Sequence, residues 1–172
     1  MGIDPLSRIT LLYHFTDRRN LPLIRAHGGL YPLAQLQQRD IEIPAPGGNQ
    51  WSHDADNLKK MDHYVHLCFR NNHPMEHVAR REGRIGDTIF LQIHPDVLLW
   101  KGVRFAADVS NKSGVEIHTM DEASEIIDFE ILYTRTDWKN TEVQKRLQQA
   151  EKYEILVPHK IPLELIRNLP SG

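Results

Sequence analysis

Apolar and polar positions recur with two different periods along this chain, and the switches between them outline its elements. Thr10–Phe15 (TLLYHF) is a β-favouring run that stops at Thr16 and Asp17, both residue types that cap helices by accepting from backbone N–H groups. From Arg18 to His27 apolar side chains recur at Leu21, Leu23, Ile24 and Ala26, close to helical spacing, and Gly28-Gly29 supplies the stop. The opening therefore reads as strand, tight turn, helix. His14 and Thr16 stand two apart at the strand's exit, so their side chains share a face.

Tyr31–Asp40 predicts a short helix entered through Pro32. Ile43–Asn57 is rich in Pro, Gly, Asn and Asp and reads as a long loop, a kind of segment that compact domains reserve mostly for function. Tyr64–Phe69 (YVHLCF) is a strand, Pro74–Glu82 a helix with Pro in its first turn, and Thr88–His94 another strand. Asp96–Trp100 is a further short element and Arg104–Gly114 is irregular. Glu125–Tyr133 and Tyr153–Val157 predict the remaining strands, with a helix over Thr141–Gln149 between them and a last element over Pro162–Leu169. About six short strands with irregularly inserted helices do not make the βαβα alternation of a doubly wound sheet. The expectation is one α+β domain over residues 1–172 with a mixed or antiparallel sheet. No glycine-rich dinucleotide fingerprint or phosphate loop is present, so a bound dinucleotide would need some other cradle.

Composition narrows the functional classes. Apolar residues make up 40% and charged residues 26% of 172 positions, the balance of a globular chain. A net charge of −2 gives no global field for a polyanion, so any nucleic-acid site must be a local basic patch. The single cysteine, Cys68, excludes an intrachain disulfide, and its apolar neighbours make it a small hydrophobe rather than a nucleophile. With no apolar run long enough to span a bilayer and no signal peptide, the expected location is the cytoplasm.

Four features could carry chemistry. Glu154 lies in an apolar strand, where a carboxylate needs either a solvated face or a partner. His14 and Thr16 could aim an imidazole and a hydroxyl into one cleft, or simply cap the turn. Four of the ten histidines fall between His63 and His77, and His73 and His77 have the i, i+4 spacing of helix-borne zinc ligands. Pro74 separates that pair and no HExxH pattern surrounds it, so solvated histidines are the ordinary reading and no metal is expected. Lys59, Lys60 and Arg70 flank the Tyr64–Phe69 strand beside a loop holding Trp51; cations on phosphates with an aromatic on a base would suit nucleic acid, and a solvated face is the alternative.

Three segments in register resemble the DarT family of DNA ADP-ribosyltransferase toxins. They are the opening YHFTDRRNLPLIRAHGGLYP, the middle DHYVHLCFRNNHPM and the ending QQAEKYEILVPHKIPLELI. The resemblance implies an ADP-ribosyltransferase fold, a split β-sandwich with peripheral helices around an NAD⁺ cleft. It implies NAD⁺ as co-substrate, transfer of ADP-ribose to a nucleobase in DNA (single-stranded more than duplex), and a neutralising antitoxin partner. It implies that Glu154 is the catalytic carboxylate, that His14 holds the nicotinamide-side ribose and Thr16 the adenosine end, and that Phe69 lines the cofactor cleft. Trp51, Lys59 and Arg70 would contact the nucleic acid.

Two positions depart from the family's pattern. Lys60 stands where the family carries a catalytic arginine, and lysine is a point charge without the guanidinium fork. Lys152 stands two before Glu154, where many transferases place Glu or Gln to orient an acceptor. These departures keep open RNA as acceptor, or a divergent NAD⁺- or nucleic-acid-binding module without transfer. A histidine-based metal nuclease is a third class. The leading expectation places His14, Thr16, Lys60, Phe69 and Glu154 along one cleft.

Overall fold

The computed structural model describes residues 5–40, 63–109, 114–134, 137 and 139–169. Strand β1, Leu12–Asp17, leads through a 3₁₀ turn, Arg18–Asn20, into helix α1, Leu21–Ala26. Asp17 builds that corner. It is 0% exposed, yet its carboxylate accepts from the Arg19 backbone N–H, the Arg19 guanidinium and the Gly86 N–H. A buried carboxylate with this many donors is stabilised in its charged form. The short strand β2, Gly29–Leu30, follows, and then α2, Leu33–Gln38. Gly29 has φ +150° and a Cβ there would lie 2.1 Å from the Ile161 carbonyl oxygen, so only glycine lets the two backbones meet.

Next come β3, Val65–Leu67; α3, Pro74–Arg81; β4, Thr88–Ile93; and β5, Arg104–Ala106. They are followed by β6, Ile117–Thr119; α4, Met120–Ile126; α5, Phe129–Tyr133; and α6, Thr141–Ala150. The chain closes with β7, Glu154–Val157, and β8, Ile161–Pro162. Every strand pairing among the described residues is antiparallel: β1 with β4, β2 with β8, and a four-stranded sheet in the order β3-β7-β5-β6. Helices are inserted irregularly between them, giving the expected α+β class with antiparallel sheets.

Two expectations are corrected. Glu125–Tyr133 is not a strand but the end of α4 followed by α5. Thr119 and Glu122 form a reciprocal capping box at the start of α4, and Asp128 accepts from the Ile131 N–H to start α5. The buried residues Met120, Ala123, Ile127 and Ile131 are spaced by three and four, the helical period, whereas the run EIIDFEILY read by itself mimics alternation. Arg104–Gly114 also contains a strand, β5, which lies between β6 and β7. Three residues are too few to show a period, and their partners define the strand.

The register sets two faces on the central sheet. Phe105 pairs with Ile155, Leu67 with Ile155, and Val65 with Val157, so these side chains lie together in the core. Phe69 and Tyr153 join them, with Phe69 edge-on to both Phe105 and Tyr153. The opposite face of the same strands carries His66, Leu156, Arg104, Ala106 and Glu154. Strand β1 reaches this sheet through one bridge, where Tyr13 and Cys68 exchange two backbone hydrogen bonds of 2.8 Å each.

Candidate active site

That bridge sets His14 beside β3. His14 Nδ1 lies 2.9 Å from the His66 carbonyl oxygen. A carbonyl can only accept, so Nδ1 carries the proton and Nε2 is left as an acceptor. Burial pushes the His14 pKa down, against the opposing pull of the His66 carbonyl, and the ring is neutral at physiological pH.

His66 itself turns to the carboxylate at the start of β7. Its Nδ1 donates to Glu154 Oε1 at 2.7 Å, and it is 30% exposed while Glu154 is 6% exposed at the side chain. His66 pairs with Leu156, so Glu154 is its diagonal neighbour on the same face, within reach of a long side chain. One residue of β3 therefore holds His14 by its backbone and Glu154 by its ring.

The other oxygen, Oε2, faces His73, whose Nε2 is 3.8 Å away. His73 is the N-cap of α3: its Nδ1 accepts from the Met75 N–H at 3.2 Å, and Pro74 follows at the first helical position. Its ring stacks on Phe15 at 5.9 Å between centroids. Burial lowers the His73 pKa, with the Glu154 charge pulling the other way. The segment is tied down nearby, because Asn72 donates to the Glu151 carboxylate and accepts from His77 Nε2. Cys68, buried next to Glu154 and raised in pKa by burial and by that charge, is held as the inert thiol.

Of the sequence-derived candidates, His14 and Glu154 are joined through His66. Thr16 is buried on β1, and its hydroxyl accepts from Asn20 Nδ2 at 3.0 Å, an arrangement that braces the first turn. Phe69 is buried, with its ring in the core contacts described above. Arg70, half-buried, follows it directly and its carbonyl accepts from the Cys68 thiol. Lys59, Lys60 and Trp51, with the whole Ile43–Asn57 loop, lie outside the described residues. His73 and His77 are turned to separate partners, Glu154 and Asn72, and no group of three or more His, Cys, Asp or Glu among the described residues could hold a metal ion.

Neither His66 nor His73 stands out in the sequence as a neighbour of Glu154. A histidine directly before Pro74 at a helix start is a legible N-cap signal. The approach of its far nitrogen to a strand about eighty residues later is not, because only packing creates it.

Comparison with the curated proteins gives no match. Among solved structures, the chain is similar to the DarT of Thermus sp. 2.9 in complex with ADP-ribosylated ssDNA. The identity is 18% and the TM-score 0.67, over 92% of this chain and 79% of that one. The same Thermus protein in complex with NAD⁺ matches at 20% identity and a TM-score of 0.59, over 92% and 80% of the two chains. Thermosipho africanus DarTG in complex with ADP-ribose matches at 15% identity and a TM-score of 0.68, over 91% of this chain and 42% of that one. At these identities the likeness speaks for the fold. Residues 13–169 match the family described as DarT, ssDNA thymidine ADP-ribosyltransferase, and the chain with its buried, histidine-held carboxylate belongs to that family.

Proposed function

We propose that this chain breaks the nicotinamide–ribose bond of NAD⁺ and transfers the ADP-ribosyl group to a thymidine base of single-stranded DNA, with Glu154 as the catalytic carboxylate. The observation that carries the assignment is the geometry around Glu154: a buried carboxylate, held at 2.7 Å by His66 and reaching His14 through that same residue. As nicotinamide departs with the bonding electrons, positive charge develops on the ribose C1′. A fixed negative group in a site with little water stabilises that charge without reorganising. In this reading the same carboxylate takes the proton released when a base nitrogen attacks C1′. Neutral His14, with Nε2 as an acceptor, suits a ribose hydroxyl, and Thr16 and Phe69 support that side of the cleft. Lys60 stands in for the family's catalytic arginine, and Trp51, Lys59 and Arg70 hold the strand of DNA.

The test uses labelled NAD⁺ and oligonucleotides. Wild-type protein labels a thymidine-containing DNA strand, and Glu154→Gln lowers the rate by about 10²–10³-fold, the usual cost of losing charge stabilisation. NAD⁺ binding without label transfer to any acceptor would instead leave a binding module, and label in RNA alone would change the substrate. Trp51→Ala lowers transfer while NAD⁺ hydrolysis continues. A transferase acting on DNA in the cytoplasm is toxic, so an antitoxin is the expected partner. Unimpaired growth of cells expressing the active chain by itself would remove that part of the proposal. Among the described residues no helix is long and apolar enough to cross a membrane.

A further inference from the structure

His66 and His73 lie against the two oxygens of Glu154, at 2.7 and 3.8 Å, and the His73 tautomer is set by another contact. His73 Nδ1 is occupied as an acceptor by the Met75 N–H, so in the neutral ring the proton resides on Nε2. That Nε2 is buried and lies 3.8 Å from Oε2, with the Lys152 carbonyl as a competing acceptor nearby. The gap to Oε2 is about 1 Å longer than a charge-assisted bond, and closing it sets the Glu154 carboxylate against a neutral carbonyl as acceptor for the same N–H. His66 supplies the other donor at 2.7 Å to Oε1.

We infer that His66 and His73 are positioning residues forming a two-sided clamp, in which a helix N-cap presets the second donor for the Glu154 carboxylate. The inference rests on Glu154 being the reacting carboxylate. With both donors engaged, the carboxylate plane is held in one orientation toward the ribose. Losing either donor lets it rotate, and a misplacement of this kind costs about 10- to 100-fold in rate. The residue that starts α3 thus also orients the reacting group on β7. The Asn72–Glu151 hydrogen bond keeps the two segments together. Substituting the His66 side chain leaves its carbonyl in place, so the His14 contact survives and the two effects separate.

Four variants test the clamp, each with its melting temperature and with kcat and KM for NAD⁺ measured separately on an oligonucleotide acceptor. His73→Asn keeps an N-cap acceptor but is too short to reach Oε2, whereas His73→Gln keeps the far donor and loses the cap. His66→Asn keeps a donor near the Nδ1 position, and His66→Phe removes it at similar volume. The expected result is a kcat loss of about 10- to 100-fold in His73→Asn and His66→Phe with KM changed less than about twofold. His66→Asn and His73→Gln should recover most of that loss. Wild-type kcat in His73→Asn at an unchanged melting temperature overturns the inference, and so does a His66→Asn as slow as His66→Phe. If His66→Phe does not fold, the His73 pair carries the test. Glu154→Gln separates the two levels. A normal rate there removes the catalytic assignment itself. An inactive Glu154→Gln beside fully active His73→Asn and His66→Phe removes the clamp alone.

Discussion

At Glu154 the same side chain satisfies two opposing demands. Burial disfavours a carboxylate, and the His66 donor and the nearby His73 ring offset part of that cost. Hydrogen-bond donors of this kind orient the group toward a developing cation. His14 belongs to the same logic, since its hydrogen bond to the His66 carbonyl fixes which nitrogen remains as the acceptor. His14→Ala should therefore raise KM for NAD⁺ more than it lowers kcat; steady-state kinetics showing an effect on kcat alone would give His14 a different role. Phe69 separates packing from binding. Removing its ring from the core should cost about 3–5 kcal/mol in Phe69→Ala, read by denaturant unfolding. A raised KM in Phe69→Leu at near-normal stability would show that it contacts the dinucleotide as well.

Elements are held by caps as much as by propensity. Asp128 starts α5 by accepting from Ile131 and also takes both arms of the Arg146 guanidinium from α6, at 2.7 and 2.8 Å. This pair holds its carboxyl below the usual carboxylate range. Asp128→Ala should destabilise the protein by about 1–2 kcal/mol through the lost cap and leave NAD⁺ kinetics unchanged. A change in KM with no change in unfolding would show instead that α5 shapes the cleft. The strands were legible where they were long. Thr88–Ile93 and the opening run follow from alternation and turn residues, while β5 and β6 span three residues each and exist through their partners. The run 125–133 misleads because an apolar stretch interrupted by Asp128 and Glu130 fits either period, and the capping chemistry, more than the hydrophobic pattern, resolves it.

For the whole molecule, protonation links stability to pH with a definite sign. Asp17 is held far below its unfolded value near 3.9 by Arg19 and backbone donors, and Asp128 is lowered as well. Their stabilisation is complete above about pH 4 and is lost as pH falls through the depressed folded values. His14 and His73 are lowered too, so below their unfolded value of about 6.5 the unfolded chain takes up protons that the native state refuses. Thermal unfolding should therefore show stability falling in two stages on acidification, from about pH 6.5 and again below pH 4. Asp17→Asn should be less stable at pH 7 and should flatten the lower stage; an unaltered acid limb would mean that other carboxylates govern it.

Local sequence determined a good deal of this protein. It set the β1–turn–α1 opening, the α3 helix with its proline start and the apolar β7 strand holding Glu154, because each depends on side-chain period and backbone chemistry within a few residues. Only the tertiary structure decided that the partner is His66, that His73 stands on the other side, and that Phe69 packs into the core. The His66–Glu154 contact spans 88 residues, and hydrogen-bond geometry between distant segments leaves no trace in local hydrophobic period. The carboxylate was readable only as a residue needing either a solvated face or a donor; that it is buried against a donor, and which one, was settled by the Tyr13–Cys68 bridge and the register of β3 against β7.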